Sequence, residues 1–272
     1  MAEQRLTFDG PVAAPFVYIA SLRRSGSTVL SEALTGLPHA YMFREPRLGL
    51  GHFSIKRDDQ ALFANHGVDL KAFSRAFKSA GPAEVVRRFA SDVMPALNQV
   101  VAQVGIKEIR STGWELVAEH FPDMRVLITG RDPRDIYLSL LQRVESGTAG
   151  WNREVTPSAV ADHLLAEYDL QCQMERALPS LRVSYERLCT EPAVIEQVKA
   201  FVASPLPGTG TVSAFNAANP KRAAEAAVHG GSISDRRVDR WRREPDSARA
   251  VEAQELFDRM GRYVDDWGYA KI

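Results

Sequence analysis

The segment FVYIASLRRSGST, residues 16–28, decides the fold of this chain. It opens with a short apolar run rich in strand-forming residues and continues into a polar turn around Gly26. Apolar residues then recur at helical spacing, at Leu30, Leu34 and Leu37. A buried strand that runs through a tight turn into a helix is typical of a parallel sheet covered by helices.

Strands and helices alternate along the rest of the chain as well. Further strands are predicted at residues 40–43, 126–129 and 181–185, a short one around Lys107, and long helices at residues 82–104, 156–178 and 192–202. Gly105 is expected to end the first of these helices. We therefore expect a single α/β domain over residues 1–272, in three layers, with a central, mostly parallel sheet of about five strands flanked by helices.

The composition is that of an ordinary globular protein. Of the 272 residues, 45% are hydrophobic and 25% are charged, which is enough apolar sequence for one extended core. Lys plus Arg and Asp plus Glu balance at 34 each. Because no overall charge attracts a polyanion, nucleic acid is not expected as a partner, and any anion site must be built locally.

The cysteines and the uncharged segments indicate the compartment. Cys172 and Cys189 lack metal-ligand spacing, so both are interpreted as reduced thiols, and no metal site is expected. No secretory signal pattern opens the sequence, and the longest uncharged stretch, residues 200–220, is interrupted by proline and glycine. We expect a cytoplasmic protein without a membrane span, and the sequence does not encode its oligomeric state in any pattern that we recognise.

The turn at residues 21–28 has the features of an anion-binding loop. Backbone N–H groups and the positive end of the following helix converge there, which suits a phosphate or a sulfate group. The spacing of the nucleotide-binding pattern G-x-x-x-x-G-K-[ST] is kept, but Ser21 replaces the first glycine and Ser27 replaces the lysine, while Arg24 supplies a cation within the loop. The alternative is a turn that only caps a helix.

A second turn of the same kind follows the strand at residues 126–129. Arg131 stands at the strand end, and Asp132 and Pro133 are predicted as the N-cap and first residue of the next helix. Ser139 comes eight residues after Arg131, which places both on neighbouring sides of the same helix start. Together they could hold a second phosphate.

Three motifs resemble the sulfotransferase family that uses 3′-phosphoadenosine 5′-phosphosulfate (PAPS). They are RSGST at residues 24–28, RDPRD at residues 131–135 followed by Ser139, and SYERL at residues 184–188 before a Glu-Pro pair. The resemblance covers about residues 16–245 and implies a P-loop NTPase-like sulfotransferase fold. It also implies PAPS as the donor, no metal, and a hydroxyl of a small molecule, glycan or lipid as the acceptor.

The resemblance also assigns donor-binding residues. Those expected around the 5′-phosphosulfate are Arg24, Ser25, Gly26, Ser27 and Thr28, and those expected on the 3′-phosphate are Arg131 and Ser139. Tyr185 matches a tyrosine near the adenine, although a tyrosine that closes a strand end fits its position equally. Residues 232–243 resemble more loosely a late loop over the 3′-phosphate, which would add Ser234 and Arg237; a solvated, charged helix start is the alternative.

The catalytic set is expected to need a base and cations but no metal, because a transferred sulfuryl group carries less charge than a phosphoryl group. Glu45, at the end of the second predicted strand, matches a glutamate base, with an ion pair to a neighbouring arginine as its structural alternative. His39 is the second candidate base, but it precedes the strand. Lys107 resembles a lysine that reaches the leaving phosphate together with Arg24; a charge at the rim of the site is its alternative.

Two other functions share these features. A small-molecule kinase that uses ATP and Mg²⁺ also has a phosphate loop on a parallel sheet, but here the loop lysine is missing. A nucleotide-sensing protein could keep the fold without the reaction. The identity of the acceptor is not written in any motif.

Overall fold

Five parallel strands form one sheet in a computed structural model, which describes residues 14–147, 155–207 and 235–271. The strands are β1 (Val17–Ser21), β2 (Ala40–Arg44), β3 (Gln103–Glu108), β4 (Arg125–Gly130) and β5 (Ser180–Ser184). Their order across the sheet is β2-β3-β1-β4-β5, and every neighbouring pair is parallel. The expected α/β sheet is therefore confirmed.

Helices connect the strands and cover the sheet. They are α1 (Ser27–Ala33), α2 (Arg57–Ala64), α3 (Leu70–Ala76), α4 (Pro82–Arg88), α5 (Met94–Leu97), α6 (Trp114–His120), α7 (Pro133–Glu145), α8 (Pro157–Ala177), α9 (Tyr185–Thr190), α10 (Ala193–Phe201), α11 (Ser247–Arg259) and α12 (Gly261–Trp267). Short 3₁₀ turns lie at Leu48–Leu50, Asp235–Arg237 and Arg240–Arg243. In the described ranges, no helix combines the length and the apolar character that a bilayer span requires.

In β1, β2 and β4, alternate residues enter different cores. Tyr18 of β1 and Ile106 of β3 lie in one buried cluster with residues of α4 and α6, while Val17 lies in another with Leu30 of α1 and Val198 of α10. A third cluster joins α7 and α8 to α11 and α12. Because both sides of the sheet are covered there, β1 and most of β4 are apolar, as the short apolar runs indicated, whereas β3 and β5 also carry polar and charged residues.

The helix predicted at residues 82–104 begins where expected, at Pro82, but the structure contradicts its predicted end. α4 is followed by a π-helical segment at Phe89–Val93 and by α5, which ends at Leu97, and Val104 and Gly105 belong to β3. Gly105 therefore does not end a helix. An ideal Cβ there would lie 2.4 Å from Met42 Sδ and 2.6 Å from the carbonyl oxygen of Val17, so glycine allows three strands to pack closely.

Smaller boundary differences have a local cause. The fifth strand was predicted at residues 181–185, but Tyr185 is the first residue of α9 because the Ser184 side chain accepts a hydrogen bond from the Arg187 N–H and caps that helix. The predicted start of α7 is confirmed. Asp132 is its N-cap and accepts from the Arg134 N–H at 2.9 Å, with Pro133 as the first helical residue.

The register brings the sequence motifs to one edge of the sheet. Ser21, the last residue of β1, lies opposite Thr129 of β4, and Arg44, the last residue of β2, lies opposite Lys107 of β3. Since all strands are parallel, the loops that follow them leave from the same edge. That edge is where a ligand site is expected.

Gly105→Ala should test the close strand packing. The added methyl group meets a backbone oxygen that cannot move independently, so we expect the free energy of unfolding to fall by about 1–3 kcal/mol. The measurement is urea unfolding followed by circular dichroism. Gly261→Ala, in the first turn of α12 with open space around the added carbon, is the matched control and should change stability by less than about 0.5 kcal/mol. Equal stabilities of the two variants would contradict this account of β3.

Candidate active site

The loop after β1 folds back onto the strand ends. The Ser25 hydroxyl donates to the carbonyl oxygen of Leu22 at 2.7 Å, and it lies 2.5 Å from the Thr129 hydroxyl on β4. Arg24 and Gly26 have positive φ values of 65° and 84°. Left-handed residues between ordinary ones are the backbone pattern of anion-binding nests, and they are costly for a residue other than glycine.

Tyr185 forms a wall between the two predicted loops. An ideal Cβ on Gly26 would lie 2.3 Å from Cδ2 of this tyrosine, so only glycine fits against the ring. The guanidinium of Arg131 lies over the same ring, 4.2 Å from its centroid. The structure thus places Tyr185 against one residue from each loop, and its contact with adenine stays a prediction.

A hydrogen bond joins the two loops directly. The Arg24 side chain donates through Nε to the Ser139 hydroxyl at 2.9 Å, although the two residues are 115 positions apart. Burial lowers the pKa of Arg24 to about 10, with further contributions from Arg143, Arg131 and Arg237. Arg24 is therefore charged at neutral pH and lies among three other cations.

Arg131 is held from several sides. Its guanidinium donates to the carbonyl oxygen of Arg24 at 3.3 Å, to the Asp135 carboxylate at 3.4 Å and to the carbonyl oxygen of Arg237 at 2.6 Å. The Tyr263 hydroxyl accepts from the Arg131 N–H at 2.8 Å and donates to the Arg131 carbonyl at 2.9 Å. Arg131, which is predicted to bind the 3′-phosphate, is thus held in place by contacts within the protein.

The segment that carries Arg237 closes against α7. The Trp241 N–H donates to Asp135 at 3.0 Å, and the Arg134 guanidinium lies between the rings of Trp241 and Phe257, at 3.6 and 3.9 Å from their centroids. Trp241 itself lies in the 3₁₀ turn Arg240–Arg243. Ser234, the other residue predicted in this segment, lies outside the described residues.

Positive charge is concentrated at this edge of the sheet. Arg24, Arg131, Arg143 and Arg237 face one another, whereas the carboxyl group of Asp135 is fully buried, and this burial raises its pKa to about 6. Like charges brought together out of water repel strongly unless an anion joins them. The arrangement suits a ligand that carries more than one negative charge.

Glu45 forms an ion pair with Lys107. Its Oε1 lies 2.6 Å from Lys107 Nζ, and its N–H donates to the Lys107 carbonyl at 2.7 Å. Neither arginine expected as the alternative partner makes this pair; Arg44 contacts Glu32 instead, at 3.4 Å. β3 lies between β2 and β1, so the end of β2 does not adjoin the first loop directly.

The ion pair affects the pKa values of both partners. Burial raises the pKa of Glu45, but the charge and the hydrogen bond of Lys107 outweigh it, so that the pKa lies below the ordinary value of 4.5. Burial lowers the pKa of Lys107, and Glu45 opposes that shift. Glu45 also has a positive φ of 57°, which marks a strained turn at the site. His39 lies at the other end of β2, where its N–H donates to Gly36.

Some residues of the site could not be found from the sequence. Asp135 follows Arg131 by four residues, and this helical spacing could have indicated the ion pair that they form. Tyr263 and Trp241 are more than 100 positions away from the groups they contact, and no local pattern connects them. In the described ranges, no group of three or more His, Cys, Asp or Glu side chains is arranged to hold a metal ion.

The comparison with protein families identifies the chain. A sequence model described as the Sulfotransferase family matches residues 15–206. The chain belongs to the sulfotransferase family. A comparison with curated proteins finds no match.

Solved structures show the sulfotransferase fold. The sulfotransferase domain of the Synechococcus PCC 7002 olefin synthase matches with a TM-score of 0.66 at 18% identity, over 97% of this chain and 98% of that one. The sulfotransferase domain from the curacin biosynthetic pathway gives 0.61 at 15% identity, over 95% and 99%. A mouse sulfotransferase complexed with PAP gives 0.52 at 10% identity, over 94% and 89%. The P-loop-like sulfotransferase fold expected from the motifs is confirmed.

Lys107→Met should raise the pKa of Glu45. The methionine fills the buried space but removes the charge, so burial then dominates and the pKa should rise by about one unit or more. Carboxyl ¹³C NMR titration of selectively labelled protein measures it. Lys56→Met, which removes an exposed charge that acts on Glu45 more weakly, should raise that pKa by less than half as much. Equal shifts in the two variants would show that the contact with Lys107 does not control Glu45.

Proposed function

We propose that this protein transfers a sulfuryl group from PAPS to a hydroxyl group of a small-molecule, glycan or lipid acceptor. The observation that carries the proposal is the contact between Arg24 and Ser139, which unites the two loops around one group of arginines. Membership of the sulfotransferase family supports sulfuryl rather than phosphoryl transfer. The mouse structure with PAP, 3′-phosphoadenosine 5′-phosphate, supports this class of donor.

The residues present fit a donor with two anionic ends. Arg24 and the Gly26 turn would hold the 5′ end, and Arg131, Ser139 and Arg237 would hold the 3′-phosphate. Tyr185 offers an aromatic face between the two ends. Arginine suits phosphate because its planar guanidinium makes paired hydrogen bonds.

In the proposed reaction Glu45 accepts the proton of the acceptor hydroxyl. The acceptor oxygen forms a bond to sulfur while the bond from sulfur to the bridging phosphate oxygen breaks, and the electron pair leaves with that oxygen. Arg24 and Lys107 stabilise the negative charge that develops there. Glu45 is partly exposed, at 24% of its side chain, so an acceptor can approach it, whereas Lys107 is buried beside it.

The direct test is sulfuryl transfer from labelled PAPS to a panel of hydroxylated metabolites. A product should form in the presence of EDTA, because cationic side chains replace a metal in the proposed site. ATP with Mg²⁺ is the comparison that tests the kinase alternative. Phosphorylated products with ATP, or binding of PAP without any turnover of PAPS, would overturn the proposed reaction.

Arg131→Lys should weaken the binding of PAP. Lysine keeps the charge but loses the paired geometry, and we expect the Kd to rise about 10-fold or more. Isothermal titration calorimetry measures it, and thermal unfolding confirms that the variant is folded. Arg187 lies on α9 and forms an exposed ion pair with Glu191, so Arg187→Lys is the matched control and should leave the Kd unchanged. An unchanged Kd in Arg131→Lys would remove Arg131 from the donor site.

Glu45→Gln should slow the chemical step. The amide keeps the shape of the side chain but accepts a proton far less readily, so we expect single-turnover rates to fall about 10²-fold or more. The Kd of PAP should change little, because Glu45 lies on the β2 side of the site. Glu115→Gln, on the exposed face of α6, is the control. A nearly full single-turnover rate in Glu45→Gln would eliminate this base.

A further inference from the structure

Three arginines follow the ends of three neighbouring strands. Arg23 comes two residues after β1, Arg110 two residues after β3, and Arg47 three residues after β2. These strands are adjacent and parallel in the order β2-β3-β1, so their following turns leave from one edge of the sheet. We call these three residues the acceptor-side arginines. They lie on the opposite flank of β1 from β4, whose end carries Arg131.

Buried carboxylates hold two of these turns in place. The Arg47 N–H donates to Glu108 Oε1 at 2.5 Å, and the Ser111 N–H, next to Arg110, donates to Glu167 Oε2 at 2.9 Å. Arg47 also has a positive φ of 63°, a strained conformation that persists only where the surroundings fix it. The turns that carry these arginines are therefore anchored parts of the site.

The guanidinium groups are at least partly accessible, and the charges of Arg47 and Arg110 act on Arg23. Arg47 and Arg110 are exposed, and Arg23 is half-buried. Burial lowers the pKa of Arg23, and the charges of Arg110 and Arg47 lower it further, while Glu45 and Glu167 oppose them. Within the described ranges, neither Arg47 nor Arg110 forms a salt bridge.

The nearby carboxyl groups offset this charge only in part. Glu45 is already paired with Lys107. Burial raises the pKa of Glu108 to about 8 and also raises the pKa of Glu167, which disfavours their charged forms. The exposed Lys56 adds a further positive charge that acts on both Glu45 and Lys107. Because the whole chain has a net charge of +0, the excess is a local feature of this flank.

We propose that the acceptor carries an oxyanion, a carboxylate or a phosphate monoester, which the acceptor-side arginines bind while its hydroxyl group reaches Glu45. This inference rests on the proposed sulfuryl transfer and narrows its acceptor class. An anion at this flank relieves the repulsion among Arg23, Arg47 and Arg110 and orients the hydroxyl for attack. A neutral acceptor would neither relieve this repulsion nor be oriented by the arginines.

The test measures binding to PAP-saturated protein, in which the donor site is already filled. Two pairs of hydroxylated probes differ mainly in charge: glycerol 3-phosphate with glycerol, and 4-hydroxybenzoate with 4-hydroxybenzamide. At low salt we expect the anionic member of at least one pair to bind about 10-fold more tightly than its neutral partner, by calorimetry or NMR titration. The pair that shows the preference tells whether phosphate or carboxylate is favoured. The preference should shrink at high salt, as screening requires.

The double variant Arg47→Ala/Arg110→Ala should lose this preference while keeping the wild-type Kd for PAP. Arg57→Ala/Arg75→Ala, which removes two exposed arginines on α2 and α3, is the matched control and should keep it. No preference for the anions, or a preference that survives in the double variant, would overturn the inference. A loss of PAP affinity in the double variant as large as its loss of anion preference would also overturn the inference, because it would place Arg47 and Arg110 in the donor site.

The two proposals fail in different ways. If the wild-type protein does not bind PAP, the proposed donor is wrong, and the same probe pairs are then titrated against the unloaded protein. In either case, the inference stands only if the preference for anions is lost when Arg47 and Arg110 are replaced. If PAP binds but the probes show no charge preference, the donor stands and the anionic acceptor does not.

Discussion

The parallel pairing of β1 with β4 determines the rest of the site. Ser21 lies opposite Thr129 in that pairing, so two turns separated by more than 100 residues leave the sheet side by side. The hydrogen bond between the Ser25 and Thr129 hydroxyls and the contact of Arg24 with Ser139 both depend on this register. A shift of one residue would turn every side chain of β1 to the other face and separate the loops.

Bringing several arginines together carries an electrostatic penalty that the fold partly offsets. Asp135 and the carbonyl oxygens of Arg24 and Arg237 accept hydrogen bonds from Arg131, and the ring of Tyr185 lies against its guanidinium. Burial lowers the pKa values of Arg24 and Arg237, and repulsion by neighbouring arginines lowers them further. An anion that binds this group stabilises the folded state by mass action, since the unfolded chain has no such cluster. The positions of these arginines thus favour ligand binding more than they favour stability.

Local patterns in the sequence predicted the strands, the turns that leave them and the N-cap of α7, because each depends on residues only a few positions apart. They failed at residues 98–104, where valines at helical spacing led into a turn and the start of β3, and Gly105 proved to be a packing position. No local sequence pattern encodes the order of the strands in the sheet. For that reason the pair formed by Glu45 and Lys107, and the contact of Tyr263 with Arg131, became visible only in the structure.

The pair of Glu45 and Lys107 would couple donor binding to the base in the proposed reaction. A carboxylate with a lowered pKa is a weak base, and a buried lysine with a lowered pKa holds its proton less firmly. The proposed reaction requires Glu45 to be ionised and Lys107 to be protonated, and these are the states that an ion pair between them favours. A donor phosphate that attracts Lys107 would take away the partner that lowers the pKa of Glu45, so the carboxylate would become more basic when the donor is bound. The same side chain would then bind the leaving group and control the base, which gives a physical reason for placing a lysine, with its flexible stem and compact charge, next to the carboxyl end of β3.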